Sequence, residues 1–253
     1  MITRRNLLYP LSFLFILTAF SSPPKKKITI WLIGDSTMSI KEVKAYPETG
    51  WGMPFANFWD STVTVNNLAK NGRSTRSFLE EKRWEPVMVN IQEGDYVFIQ
   101  FGHNDEVPTK KTYVTEKEFK SYLLKYVTDT RNKKGNPLLI TPVARRKFDS
   151  TGHIQETHGV YSQIVRDVAH ENNVPLIDLD IKSQQLLQQL GPDVSKYLFD
   201  YLVPGENPNY PEGKQDDTHF SELGARKIAE IVLAEIKNLH LDLAERVFTG
   251  TLK

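Results

Sequence analysis

Ile28-Thr29-Ile30-Trp31-Leu32-Ile33 runs straight into Gly34-Asp35-Ser36-Thr37. Six residues rich in β-branched and aromatic side chains, with no turn former among them, read as a strand covered on both faces. Such a strand belongs inside a parallel sheet flanked by helices. The polar tetrapeptide at its end then lies where open α/β sheets hold their ligands, outside the carboxyl ends of the strands.

The same grammar recurs along the chain. Residues 63–68, 96–101, 137–141 and 175–179 are further strand candidates, most of them continuous apolar runs. Helical patterns fill the gaps at 51–59, 84–91, 115–132, 156–172 and 221–239. Thr115 with Glu118 predicts a capping box at the start of the third, and Ser221 a cap for the last. Strands interleaved with helices of this length imply right-handed crossovers and an α/β fold around a five-stranded parallel sheet. Residues 191–215, rich in Pro, Tyr, Asn and Gly, are expected to form a long connection, functional or mobile, whose tyrosines either stack on sugar faces or pack the loop down.

Composition narrows the class. At 253 residues, 40% hydrophobic and 25% charged, the chain suits one globular domain rather than two small ones, and is not disordered. Cysteine is absent, which removes disulfides and thiolate metal sites. Arg4-Arg5, an apolar run from Leu7 to Phe20 and then Ser21-Ser22-Pro23-Pro24 have the layout of a secretory leader. The expected organisation is a leader at 1–22 and one domain at 23–253, secreted to a periplasm or beyond, with no stable membrane anchor after cleavage. Cleavage removes two arginines and no acids, taking the formal charge from +1 to about −1, so nothing points to nucleic acid as a partner.

The chemistry rests on four polar clusters. Ser36 follows the first strand, Asn71-Gly72-Arg73-Ser74 the second, Gly102-His103-Asn104-Asp105 the third and Arg145-Arg146 the fourth. They are expected to converge on one sheet edge. Near the end, Asp216-Asp217-Thr218-His219 adds an imidazole with acids beside it, on what reads as a loop. A serine hydroxyl needs an imidazole to take its proton, and the imidazole needs a carboxylate to fix its tautomer. Asp216, three residues before His219, suits the acid role better than Asp217, because a turn brings i and i−3 together. The competing reading makes Asp216, Asp217 and His219 oxygen and nitrogen ligands of a metal. Backbone N–H groups and an amide from the Gly72 and Asn104 clusters suit a developing oxyanion. Together these groups read as a serine esterase.

Asp35 is expected to bond the backbone of its own turn, and His153, His158, His170 and His240 to be solvated. His103 is expected either to contact substrate or to brace its loop. Arg73, Arg76, Lys110, Lys111, Arg145, Arg146 and Lys147, only partly offset by Asp105, Glu106 and Asp149, suggest a positive rim for a polyanion.

At these residues the chain resembles the SGNH (GDSL-type) hydrolase superfamily, with Ser36, Gly72, Asn104 and His219 as its four block residues. Gly34-Asp35-Ser36-Thr37-Met38, Gly50-Trp51-Gly52, Gly102-His103-Asn104-Asp105 and Thr141-Pro142-Val143-Ala144-Arg145-Arg146 make it similar, within that superfamily, to rhamnogalacturonan acetylesterases. The resemblance implies a flavodoxin-like three-layer α/β/α fold and ester hydrolysis with no metal or other cofactor. It implies Ser36 as nucleophile, His219 as base and Asp216 as orienting acid. The Ser36 and Gly72 N–H groups and the Asn104 amide would form the oxyanion hole, with His103, Arg73, Arg145 and Arg146 as candidate substrate contacts. The expected substrate is an acetylated pectic polysaccharide. The rivals are an esterase of the same fold acting on xylan, lipid or thioester acyl groups, and a non-catalytic carbohydrate-binding protein.

Overall fold

The computed structural model describes residues 25–250, and the leader expected at 1–22 lies outside them. The strands are β1 (Ile28–Gly34), β2 (Val63–Asn67), β3 (Tyr96–Gln100), β4 (Asn136–Ile140), β5 (Leu176–Ile177), β6 (Phe199–Leu202) and β7 (Lys214–Phe220). The helices are α1 (Gly52–Phe55), α2 (Thr75–Glu80), α3 (Glu85–Asn90), α4 (Glu116–Asn132), α5 (Gly159–Glu171), α6 (Leu179–Val194) and α7 (Glu222–Asn238). No helix among the described residues is long and apolar enough to cross a membrane.

The first five strands form one parallel sheet in the order β2-β1-β3-β4-β5. The chain steps from β1 outward to β2, then returns past β1 to β3. The loops leaving β1 and β3 therefore part in opposite directions, and a crevice opens between them at the carboxyl edge. Successive residues of β1 face opposite sides. Ile30 and Leu32 pack with Phe55 of α1 and Ile228, Val232 and Ile236 of α7. Trp31 and Ile33 pack on the other face with Phe119 and Leu123 of α4 and Val165 and Val168 of α5. This is the expected three-layer α/β/α arrangement. Ile30, Leu32 and Ile33 are wholly buried, each contributing about 1.5–3 kcal/mol relative to exposure.

Local signals place the helices. Thr115 and Glu118 form the expected capping box, and the Ser221 side chain accepts from the Gly224 N–H at the start of α7. In α4, Phe119, Leu123, Tyr126, Val127 and Thr130 fall on one buried stripe.

Three readings need correction. The pattern at 51–59 is a four-residue helix continued by a 3-10 turn (Ala56–Phe58). The sequence at 179–194 is α6, interrupted where Gly191 takes φ 70°, and 75–80 is α2. The expected connection at 191–215 contains β6 and the start of β7, which form a separate antiparallel pair. Asp216 and His219 therefore stand on a strand, not a loop. This pair is tied back by the Thr49 N–H, which donates to Phe220 O at 2.8 Å. The Tyr210 hydroxyl donates to Ala45 O at 3.0 Å and Asn209 Nδ2 to Val43 O and Tyr46 O, so the intervening segment is packed down.

Candidate active site

The turn after β1 is braced from beneath. Asp35 Oδ1 accepts from the Thr37 N–H and hydroxyl, both at 2.9 Å. Thr37 Oγ1 accepts from Gln100 Nε2 at 2.6 Å, and Gln100 Oε1 accepts from the wholly buried Trp51 indole at 2.7 Å. Asp35 thus bonds its own turn, as expected; burial pushes its carboxyl above the ordinary range while the Thr37 donors oppose this. A Cβ on Gly50 would come within 2.0 Å of Ser39 O, so only glycine allows this approach.

Three side chains meet above that turn. His219 Nε2 lies 2.9 Å from Ser36 Oγ, and His219 Nδ1 lies 2.8 Å from Asp216 Oδ2. Asp216 Oδ1 also accepts from the N–H groups of Thr218 (2.8 Å) and His219 (2.9 Å). Burial opposes ionisation of Asp216, but the His219 ring and these N–H donors outweigh it and hold the carboxyl well below its usual range. Asp217 points elsewhere: its Oδ1 accepts from Arg146 Nη1 and the Tyr201 hydroxyl, both at 2.6 Å.

A metal set of Asp216, Asp217 and His219 is therefore not assembled. Donor atoms of Glu48, Asp216 and His219 do lie within 4.8 Å of one another. Ammonium groups already stand against those carboxylates, Lys41 at 2.7 Å from Glu48 and Lys214 at 3.1 Å from Glu48 and 3.6 Å from Asp216. Burial opposes ionisation of Glu48, yet Lys41, His219 and Lys214 keep its carboxyl below the ordinary range.

Gly72 has φ 77°, and a Cβ there would meet nothing within 4 Å. Asn71 O, on the same peptide plane as the Gly72 N–H, accepts from Arg73 Nη1 at 2.8 Å. A trans peptide points its C=O and N–H opposite ways, so this bond fixes the direction of the Gly72 N–H. The Asn104 amide donates to Arg73 O at 3.1 Å and accepts at Oδ1 from Lys110 Nζ at 2.9 Å. One of its two N–H bonds is left over. Ser36, Gly72, Asn104 and His219 line one cleft of about 300 Å³, and none of its ten lining residues has an apolar side chain.

Of the four residues expected to meet substrate, His103 and Arg145 line the cleft, while Arg73 and Arg146 do not. Arg146 is buried, donating to Ser195, Tyr201, Asp217 and Pro192 O. Arg73 pairs with Glu81 at 2.9 Å, and Arg145 with Glu106 at 3.2 Å. Of the expected rim, Arg73, Arg76, Arg145 and Arg146 stand against Glu81, Glu80, Glu106 and Asp217, of which only Glu106 was among the acids expected to offset it. Arg145 also donates to Thr218 Oγ1 at 2.9 Å, beside His219.

His103 is 3% exposed, and neither ring nitrogen has a hydrogen-bond partner among the described residues. Burial, reinforced by the nearby His158 and Arg145, holds it well below the usual histidine range and keeps it neutral. His158, expected to be solvated, is instead buried: its ring lies 4.3 Å from that of His103, and Nδ1 is 2.8 Å from Glu106 Oε2. His153, His170 and His240 are exposed as expected. The sequence reading missed Glu48 and Lys41 altogether. In Lys41-Glu42-Val43-Lys44 nothing distinguishes the buried lysine from the exposed one.

Known proteins are similar to this chain in sequence and fold to different degrees. The chain is 42% identical over 224 residues to "Rhamnogalacturonan acetylesterase RhgT" of Bacillus subtilis (strain 168), covering 88% of this chain and 95% of that protein. It is 34% identical to "Probable rhamnogalacturonan acetylesterase YesY" of the same organism, covering 86% and 96% respectively. The crystal structure of protein YxiM from Bacillus subtilis superposes with a TM-score of 0.74 at 26% identity, over 87% of this chain and 59% of that one. Residues 32–227, from within β1 into α7, match the model of the GDSL-like lipase/acylhydrolase family, and the chain belongs to that family.

Proposed function

We propose that the protein is a serine esterase that removes acetyl groups from a rhamnogalacturonan-type pectic polysaccharide. The observation that carries this reading is the hydrogen-bonded line Ser36–His219–Asp216 opening into a small cleft lined by polar and charged side chains. A cleft of about 300 Å³ lined by polar and charged side chains suits a two-carbon acyl group on a hydroxylated scaffold better than a long acyl chain. The relatives named for rhamnogalacturonan acetylesterase activity support the choice of scaffold.

The Ser36 hydroxyl attacks the acetyl carbonyl while His219 Nε2 takes its proton. Charge developing on the carbonyl oxygen meets the N–H groups of Ser36 and Gly72 and the free N–H of Asn104. As the ester C–O bond breaks, His219 returns the proton to the departing sugar oxygen. Water, deprotonated by the same nitrogen, then cleaves the acetyl-serine and releases acetate. Asp216 remains ionised throughout, fixing the imidazole tautomer and stabilising the cation it becomes.

Lys110 at the cleft, bonded to the neutral Asn104 amide rather than to an acid, suits a backbone bearing galacturonate carboxylates. The Arg4-Arg5 and Leu7–Phe20 pattern supports export of the enzyme to where such polymers occur. The test is acetate release from acetylated rhamnogalacturonan and acetylated xylan, with p-nitrophenyl acetate as a neutral reporter. A higher kcat/KM on xylan would sink the pectic reading and leave the esterase. No turnover of any of the three would sink both.

A further inference from the structure

Lys41 and Glu48 take no part in the acyl transfer described above, yet both are buried beside it, at 4% and 7% exposure, Glu48 as one of the residues lining the cleft. An ammonium out of water is costly unless oxygens replace its hydration. The Lys41 ammonium touches three oxygens, each on a different segment: Ser36 O at 2.5 Å, Asn71 Oδ1 at 3.0 Å and the Glu48 carboxylate at 2.7 Å. The first belongs to the turn after β1 and the second to the residue preceding Gly72. Asn71 Oδ1 is held again by the Ser39 hydroxyl at 2.5 Å.

Glu48 carries the connection onward. Its second oxygen meets Lys214 at 3.1 Å, and Lys214 reaches Asp200 at 2.7 Å and Asp216 at 3.6 Å. Alternating charges thus run Asp200–Lys214–Glu48–Lys41, from the strand bearing Asp216 and His219 to the two turns that supply backbone N–H groups. The β1–β2 pairing ends where the Lys70 N–H donates to Gly34 O at 3.0 Å, and beyond that bond the Ser36 and Asn71–Gly72 turns are joined by side chains, Lys41 and Ser39 each reaching both Ser36 O and Asn71 Oδ1. Apolar packing would fill the same volume without aiming either turn, whereas an ammonium bonded to oxygens on both does aim them.

We propose that the Lys41–Glu48 pair is a positioning device for the oxyanion hole, holding the Ser36 and Asn71–Gly72 turns so that their N–H groups converge on one oxygen. The proposal rests on the acyl-transfer reading. Its function is preorganisation: donors already aimed need no reorganisation when charge develops.

Lys41→Met alone leaves Glu48 short of a counter-charge and risks unfolding, so two other variants decide the matter. Lys41→Met/Glu48→Gln removes both buried charges together, and Glu48→Gln keeps shape while weakening the clamp. Each is checked for folding by circular dichroism and thermal melting, and kcat is normalised to active sites titrated by the p-nitrophenolate burst. The expected result is a folded double variant with kcat on p-nitrophenyl acetate reduced about a hundredfold and KM within about threefold of the parent, the pattern of a lost oxyanion interaction. Glu48→Gln should lose about tenfold in kcat by the same pattern. A folded variant of either kind keeping kcat per titrated site within about threefold of the parent overturns the proposal, because a merely structural pair lowers melting temperature and active fraction but not turnover per intact site. A Ser36→Ala control that stays active would instead mark failure of the acyl-transfer reading itself.

Discussion

Ser36 and His219, 183 residues apart, are brought to 2.9 Å between Oγ and Nε2 by two different pieces of architecture. Ser36 lies in the turn after β1 of the parallel sheet, and His219 stands on β7 of the small antiparallel pair. Their meeting requires both pieces to dock in one register, with the Thr49–Phe220 contact and the Lys214 charges joining them. The catalytic assignment makes that docking testable.

Ser36→Ala and His219→Ala should each lower kcat by about four to six orders of magnitude without unfolding the protein, and the double variant should be scarcely worse than either. Asp216→Asn should cost about four orders, since it mis-sets the imidazole tautomer. Asp217→Asn should leave kcat far closer to the parent and act chiefly on stability through its contacts to Arg146 and Tyr201. Steady-state kinetics with a melting curve for each variant checks this; an Asp217 variant more impaired in kcat than the Asp216 one contradicts the assignment.

The proposed oxyanion donors differ in how they should fail. Asn104→Ala removes a side-chain donor and should reduce kcat roughly a hundredfold to a thousandfold with KM little changed. Gly72→Ala meets no steric obstacle, only the positive φ of 77°. It should cost about 1–2 kcal/mol of stability and lower kcat as the N–H swings off target. If Gly72→Ala is as stable and active as the parent, the positive φ is not needed for the donor's aim.

Asp105 gives a pH dependence of stability. Wholly buried, it accepts from the Thr75 N–H at 2.8 Å and hydroxyl at 2.6 Å, and burial pushes its carboxyl from 3.8 up to about 7. Between those values the folded chain keeps a proton that the unfolded chain has lost. Stability from this group is therefore full below pH of about 4 and falls as pH rises to about 7, by a few kcal/mol in order of magnitude. Asp216 acts oppositely: its depressed carboxyl stabilises above the ordinary range and that contribution is lost on acidification below it. Asp105→Asn should remove the decline between about pH 4 and 7 in urea midpoints. Parallel curves for parent and variant would show that Asp105 is ionised in the fold.

How much was legible beforehand follows from what each element depends on. β1, β3 and β4 are buried on both faces, and that writes a continuous apolar run into the sequence. β6 (Phe-Asp-Tyr-Leu) and β7 (Lys-Gln-Asp-Asp-Thr-His-Phe) carry polar functional groups and exist through pairing with each other, so no apolar run marked them. α6 had a usable signal, with Asp178 as cap and Leu179, Ser183 and Leu187 buried at intervals of four. Asp216 over Asp217 was readable because an i−3 contact is local. Lys41, Glu48 and His158 were not, because an ionisable residue in a loop looks the same in sequence whether it is solvated or paired at depth with a group far along the chain.

The antiparallel pair β6–β7, which carries His219 and Asp216, lies outside the five-stranded sheet, and of the residues of β7 only Phe220 is buried. Regions with fewer buried partners open before the whole fold does. Warming should therefore undock the imidazole from the serine while the central sheet is still intact. Activity should fade several degrees below the main calorimetric transition and return on prompt cooling. Hydrogen exchange should then be faster at 214–220 than at 96–100. The enzyme's working ceiling would be set by the hold of this two-stranded pair, not by the melting of the parallel sheet.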